Sequence, residues 1–169
     1  LMERVFMNSN NDTNRFALTR FANVAHSNGS VLPFWLKLKE EGKSLKLTDP
    51  NMNRLMFTQK DAADLINRTI DFTRDNGGGF VKSYKMKCVN MLDLAKFISD
   101  DVKIIGKRPG EKTDEDLISK KEVSRTYLYG DDIHIRMEDN QDDNKLTEPY
   151  NSKTAPNMSE DEMSELVYG

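Results

Sequence analysis

Apolar and polar positions alternate in short runs along the chain, and each run predicts one short element. Residues 1–10 carry Leu1, Met2, Val5 and Phe6 toward one side and read as the end of a helix. A turn-rich link of Asn8, Asn10, Asn11, Asp12 and Asn14 follows. Phe16, Leu18 and Phe21, with Thr19, predict one strand over 16–24. Six small or polar residues then interrupt the apolar pattern around residues 25–30. It resumes as a helix over 31–39, with Leu32, Trp35, Leu36 and Leu38 apolar and Pro33 in the first turn. Gly42 ends that helix. A short strand over 45–48, a turn at Asp49-Pro50-Asn51 and an extended stretch over 52–58 come next. Ala62, Leu65, Ile66 and Ile70 define a helix over 61–73, with Thr58 and Asp61 as a capping-box-like start and Gly77-Gly78-Gly79 as its stop.

Residues 80–89 read as extended. Asn90 caps a helix lined by Met91, Leu94, Ala95 and Ile98, with Asp93 three positions on. Val102, Ile104 and Ile105 form a β-rich run. A short helix is expected over 120–127 and an edge strand over 131–137. Ser159 with Glu162 caps a last helix through Leu166 and Val167. Short strands alternating with helices make this an α/β chain. Few of the strands have core character, which is thin for a doubly wound sheet. The chain opens inside a helical pattern, as a portion of a longer protein does. The expected organisation is a main body over 1–137, an acidic, turn-rich loop over 138–157, including Glu138, Asp139, Asp142 and Asp143, and a terminal helix over 158–169.

Composition narrows the function classes. Among 169 residues, 25 Lys and Arg face 28 Asp and Glu, a net charge of −3 with the basic residues scattered among acids. That distribution argues against a broad nucleic-acid footprint. The single cysteine, Cys88, excludes an intrachain disulfide and a Cys-rich metal site, and it suits a reducing compartment such as the cytoplasm. His26 and His134 are too isolated to argue for zinc. No apolar run has the length of a membrane span.

Local chemistry points to binding rather than to a catalytic set. Asn23 follows an expected strand, where open α/β sheets hold ligands. The N–H groups of Ser30, Val31 and Leu32 open a helix and suit an anion, and helix capping by Asn28 or Ser30 explains the same residues equally well. Arg54 stands in apolar surroundings, and Arg108 precedes Pro109-Gly110-Glu111. A guanidinium beside a turn fits a phosphate oxygen, and a carboxylate three residues on fits a ribose. A surface ion pair is the plainer alternative. The glycines at 77–79 lack phosphate-loop spacing. Asp114-Glu115-Asp116-Leu117 reads as a solvated helix face, with paired carboxylates for acid/base or cation chemistry as the alternative.

Three stretches carry a family resemblance: RFANVAHSNGSVLPFW, TDPNMNRLMFTQKDAADLI and IIGKRPGEKTDEDLIS. They resemble the carboxyl-terminal half of extended short-chain dehydrogenase/reductase enzymes that act on nucleotide sugars. The likeness is to the polysaccharide-biosynthesis branch, with its UDP-N-acetylglucosamine 4,6-dehydratases, some of which also epimerise at C5. The resemblance implies an α/β fold that lacks most of the Rossmann sheet. It implies NADP or NAD, bound mainly by an amino-terminal portion outside this chain, with Phe21 and Ala22 near the nicotinamide. Asn23 would meet the sugar or diphosphate side of a UDP-sugar, Ser30, Val31 and Leu32 the uridine, Arg54 and Arg108 the diphosphate, and Glu111 the ribose. In the family a hydride leaves the sugar C4, water is lost across C5–C6, and the hydride returns to C6. The catalytic Tyr-x-x-x-Lys has no match here, so no catalytic residue is assigned. A non-catalytic remnant or binding module of the same fold is the alternative. Homo-oligomers are common in the family. The departures from its pattern are Ala22 for a glycine, Asn28 for an arginine, Leu55-Met56 for an aromatic pair and Asp114 for a histidine.

Overall fold

The computed structural model describes residues 2–139 and 144–169. Leu1, Asp142 and Asp143, which enter the expectations above, lie outside the described residues. In chain order the elements begin with α1 (Met2–Asn8), β1 (Ala17–Thr19), β2 (Asn23–Val24), α2 (Val31–Glu40), β3 (Leu45–Leu47), β4 (Asn53–Phe57) and α3 (Gln59–Asn76). Then come β5 (Phe80–Tyr84), β6 (Cys88–Asn90), α4 (Met91–Ile98), β7 (Val102–Ile104) and β8 (Asp116–Ile118). A 3-10 turn at Val123–Arg125, β9 (Thr126–Tyr129), β10 (Asp132–Arg136), β11 (Tyr150–Asn151) and α5 (Glu160–Tyr168) complete the chain. No helix among the described residues is long and apolar enough to cross a membrane. The chain forms two compact units. One comprises Leu1–Phe21, Lys60–Lys85 and Leu117–Tyr150, the other Ala22–Gln59, Met86–Asp116 and Asn151–Gly169.

The first unit is built on a four-stranded sheet in the order β1-β5-β10-β9. β1 runs parallel to β5, and β10 is antiparallel to both β5 and β9. The expected edge strand at 131–137 is therefore an interior strand. Ile133, His134 and Ile135 are all buried, so both faces of β10 are covered, and an alternating pattern does not distinguish that case. The expected helix at 120–127 is also replaced. Only its middle turns, and Thr126 onward becomes β9, because Thr126 and Tyr127 pair with Ile135 and His134. β-branched and aromatic residues favour that ladder over a helix.

The strand expected over 16–24 is two strands in different sheets. The break falls after Arg20, whose side chain ties β1 into the first unit. Its guanidinium donates to both carboxylate oxygens of Glu3, at 2.9 and 2.6 Å, to both of Glu122, and to the Leu117 carbonyl. Burial alone would raise the Glu122 carboxyl. The bonds from Arg20 and Ser119 outweigh it and hold the group down to about 2.

His134 sits opposite Lys82 in the ladder, with its ring stacked on Phe80 and edge-on to Phe72, and its Nε2 is buried without a partner. Lys82, also buried, pairs with Asp132 at 2.8 Å. Burial first and then the Lys82 charge push the imidazole down to about 4; Asp132 opposes them, and Arg136 adds a smaller push in the same direction as Lys82. The unfolded chain therefore binds a proton that the folded chain refuses between its ordinary value and about 4.

In the second unit β2 runs parallel to β4, β4 pairs antiparallel with β6, and β3 runs parallel to β7. The core joins Leu32, Trp35 and Leu38 of α2 to Leu94, Ala95 and Ile98 of α4 and to Leu166 and Val167 of α5. Trp35 is buried and donates its indole N–H to the Lys46 carbonyl, so its one polar atom is satisfied. Asn90 caps α4 by accepting from the Leu92 and Asp93 amides. Ser159 and Glu162 form a reciprocal capping box on α5, and Lys87 pairs with the same Glu162.

The buried imidazole predicts acid sensitivity. Stability is full above about pH 6.5 and declines as the pH falls toward 4, by on the order of 3 kcal/mol in all. Urea unfolding near pH 7 and pH 5 measures the decline, and His134→Phe flattens it. An equal decline in the His134→Phe variant would assign the effect to other groups.

Candidate functional site

The site is assembled on the second unit, around the end of β4 and the irregular stretch that precedes β8. Arg108, Pro109, Gly110 and Glu111 form a tight turn closed by the Glu111 N–H donating to the Arg108 carbonyl at 3.1 Å. Proline at the second position and glycine at the third, with φ of +80°, are what a type II turn requires. The turn places the Glu111 carboxylate against the Arg108 backbone N–H, 3.2 Å away. That bond, with the Thr48 hydroxyl and the Arg108 and Arg54 charges, holds the Glu111 carboxyl below the usual carboxylate range. The Arg108 side chain itself is exposed.

Arg54 is mostly buried and ties this stretch to β4. Its Nη1 donates to the Asn53 and Thr113 carbonyls at 2.8 and 3.1 Å, and its Nη2 to the Lys112 carbonyl at 2.9 Å. Its Nε lies 3.2 Å from Glu115 Oε1. The side chain expected to face a ligand thus holds the segment that carries Arg108 and Glu111. Asn23, at the start of β2 opposite Met56, donates to the Leu55 carbonyl and to Glu115 Oε2.

The loop over residues 25–30, before α2, also differs from expectation in detail. Ser30 occupies the N-cap position of α2, yet its side chain makes no capping bond and its hydroxyl oxygen is buried without a partner. The Ser30 N–H donates to the Ser27 carbonyl at 2.9 Å, so the Val31 and Leu32 amides open the first turn. His26, the one non-glycine described residue with positive φ, at 56°, sets its Nε2 within 3.2 Å of the Leu166 carbonyl and 3.1 Å of the Val167 carbonyl. Both partners are acceptors, so this nitrogen carries the proton and caps the carboxyl end of α5. Phe21 is partly exposed and falls in the first unit, whereas Ala22 opens the second.

Sequence reasoning misread Asp114 and Glu115 and missed their partner Ser152. Asp114 and Glu115 are not on a solvated helix face: they precede strand β8 and are hydrogen-bonded. Ser152 donates to Asp114 Oδ1 at 3.0 Å and accepts from the Glu115 N–H, while Asn53 donates to Asp114 at 3.2 Å. Burial would raise the Asp114 carboxyl, but the bonds from Asn53 and Ser152 and the Lys153 ammonium hold it low. The available signal was the place of Glu115 inside the IIGKRPGEKTDEDLIS stretch that carries the family resemblance. Among the described residues no group of three or more His, Cys, Asp or Glu is placed to hold a metal ion. Cys88 on β6 is buried, and burial pushes its thiol up.

This α/β arrangement is that of the extended short-chain dehydrogenase/reductase and epimerase fold. The X-ray structure of Pen from Bacillus thuringiensis superposes with a TM-score of 0.81, is 26% identical, and takes in 98% of this chain and 53% of its own. The chain belongs to the polysaccharide biosynthesis protein family, whose profile matches residues 1–137. Within it the chain is a nucleotide-sugar dehydratase/epimerase-like member. It is 35% identical to the UDP-N-acetylglucosamine 4,6-dehydratase (inverting) of Campylobacter jejuni over 75% of this chain and 39% of that protein. It is 30% identical to the UDP-glucose 4-epimerase of Rickettsia rickettsii over 89% of this chain and 48% of that one. The chain thus spans about half the length of these curated relatives or less.

Replacing Arg54 tests whether it fastens the 112–115 stretch. Arg54→Met removes a donor from three carbonyls and from the Glu115 carboxylate, of which the Thr113 carbonyl keeps the Asn53 N–H and Glu115 keeps Asn23. The unfolding free energy is expected to fall by roughly 1–3 kcal/mol. Urea denaturation reads this, and a loss below about 0.5 kcal/mol, the size of an ordinary surface change, would show that the segment is held by other means.

Proposed function

We propose that this chain is the substrate-binding portion of a nucleotide-sugar 4,6-dehydratase or epimerase acting on a UDP-N-acetylhexosamine, in the cytoplasmic synthesis of surface-polysaccharide precursors. The observation that carries the reading is the Arg108–Glu111 turn. It presents an exposed guanidinium and a carboxylate held in its ionised form one turn apart, on a segment fastened by Arg54. A diphosphate is bridged by the first and a ribose diol by the second. Arg54 adds positive charge behind the turn, and Ser30, Val31 and Leu32 at the start of α2 border the uridine. Gripping the nucleotide end holds a remote handle, which orients the sugar toward reacting groups elsewhere.

Those reacting groups belong to a portion of the protein that would precede this chain. NAD or NADP, when bound there, supplies the hydride acceptor. Among the present residues Phe21, partly exposed just beyond β1, fits its edge as an apolar ring beside a flat heterocycle. β1 pairs with β5 alone among the described residues, so its other edge is where a preceding Rossmann portion would pair.

Calorimetry of UDP binding to the full-length protein tests the reading. Arg108→Ala is expected to weaken binding roughly tenfold or more, the effect of losing a charge-assisted hydrogen bond. Because the side chain is exposed, the urea midpoint should not move. Unchanged affinity would remove Arg108 from the site, and absence of UDP binding by the unmodified protein would end the proposal.

A further inference from the structure

Two of the residues assigned to the ligand meet on one carboxylate. Asn23 Nδ2 donates to Glu115 Oε2 at 2.8 Å and to the Leu55 carbonyl at 3.0 Å, while Glu115 Oε1 faces Arg54 Nε at 3.2 Å. A carboxamide nitrogen carries two hydrogens, and both are therefore engaged. The reverse orientation of the amide would set its oxygen against a carbonyl and a carboxylate, two groups with no hydrogen to give. The flip is fixed by that chemistry. The oxygen Oδ1 is left as the polar atom of Asn23 that a ligand can use. It accepts from no group among the described residues, and it is not one of the buried atoms without partners.

An oxygen that only accepts has a restricted choice of partner. A diphosphate bridging two sugars is fully ionised near neutral pH and offers acceptors alone. A sugar hydroxyl or an acetamido N–H offers a hydrogen. We infer that Asn23 reads a hydrogen-bond donor on the sugar and not the diphosphate, and that Glu115 is the positioning residue that imposes this polarity. This rests on the nucleotide-sugar reading above and narrows it. The site divides into a charged half around Arg108 and Glu111 for the nucleotide, and a neutral acceptor at Asn23 for the sugar.

Glu115 acts through two partners at once. Its charge satisfies the Arg54 guanidinium through one oxygen and orients the Asn23 amide through the other. A glutamine at this position has one oxygen for both tasks. If that oxygen turns to Arg54, its NH2 meets the Asn23 NH2, and the arrangement around Asn23 is lost.

The test compares two ligands, UDP and UDP-N-acetylglucosamine, binding to the full-length protein by calorimetry. The variants are Asn23→Ala and Glu115→Gln. Each is expected to weaken UDP-N-acetylglucosamine binding roughly tenfold while UDP affinity stays within about twofold, the pattern of one hydrogen bond lost at the sugar. Retained UDP affinity also reports that each variant is folded. Equal losses for both ligands would mean that Asn23 serves the nucleotide or the fold, and the inference would fall while the nucleotide-sugar reading stood. No loss for UDP-N-acetylglucosamine would overturn it as well. An unmodified protein that binds neither ligand would remove the reading and the inference together.

Discussion

The second unit depends on one guanidinium. The stretch from Ile105 to Glu115 contains no helix or strand, so few of its backbone polar groups are satisfied by a ladder. Arg54 supplies donors to two of those carbonyls from within β4, a regular strand held on both sides by β2 and β6. The rigid planar fork matters more than the charge. The partner Glu115 is over a third exposed, and an ion pair with one wet member contributes little by itself. Several directional bonds from one planar group fix the position of a segment, which a flexible ammonium does less well.

The two units handle charge in the same way. Arg20 meets Glu3 and Glu122 in the first, and Lys82 meets Asp132, which also accepts from Arg68. Each of these cations has a carboxylate, as the cost of desolvation demands. His134 is the contrast: it is buried among aromatic rings with cations nearby, and it stays neutral instead of pairing.

Much of the local structure was legible because it is encoded within a few residues. The Asn90 cap, the Ser159–Glu162 box, the stop at Gly77 and the Arg108-Pro109-Gly110-Glu111 turn all rest on contacts three or four positions apart. What was not legible depends on partners far along the chain. Residues 16–24 look like one strand, yet Arg20 finds Glu122 more than a hundred residues on, and the strand divides. β10 looks like an edge until β9 and β5 are known to flank it. Asp114 and Glu115 look solvated because Ser152, Asn53 and Asn23, which bind them, are distant in sequence. The family resemblance placed Arg54, Arg108, Glu111 and Asn23 in one region, and the second unit contains all four. It did not reveal that Arg54 and Asn23 are already hydrogen-bonded to the protein.

Cys88 gives the second unit a built-in clock. It is the chain's single thiol, it lies in β6 between the Arg54-bearing strand and the backbone of Asn157, and it is shielded and held in its protonated form. A thiol reagent reaches such a sulfur when the strand lets go. The rate at which Cys88 takes up a label therefore counts the openings of β6 itself, with no engineered probe.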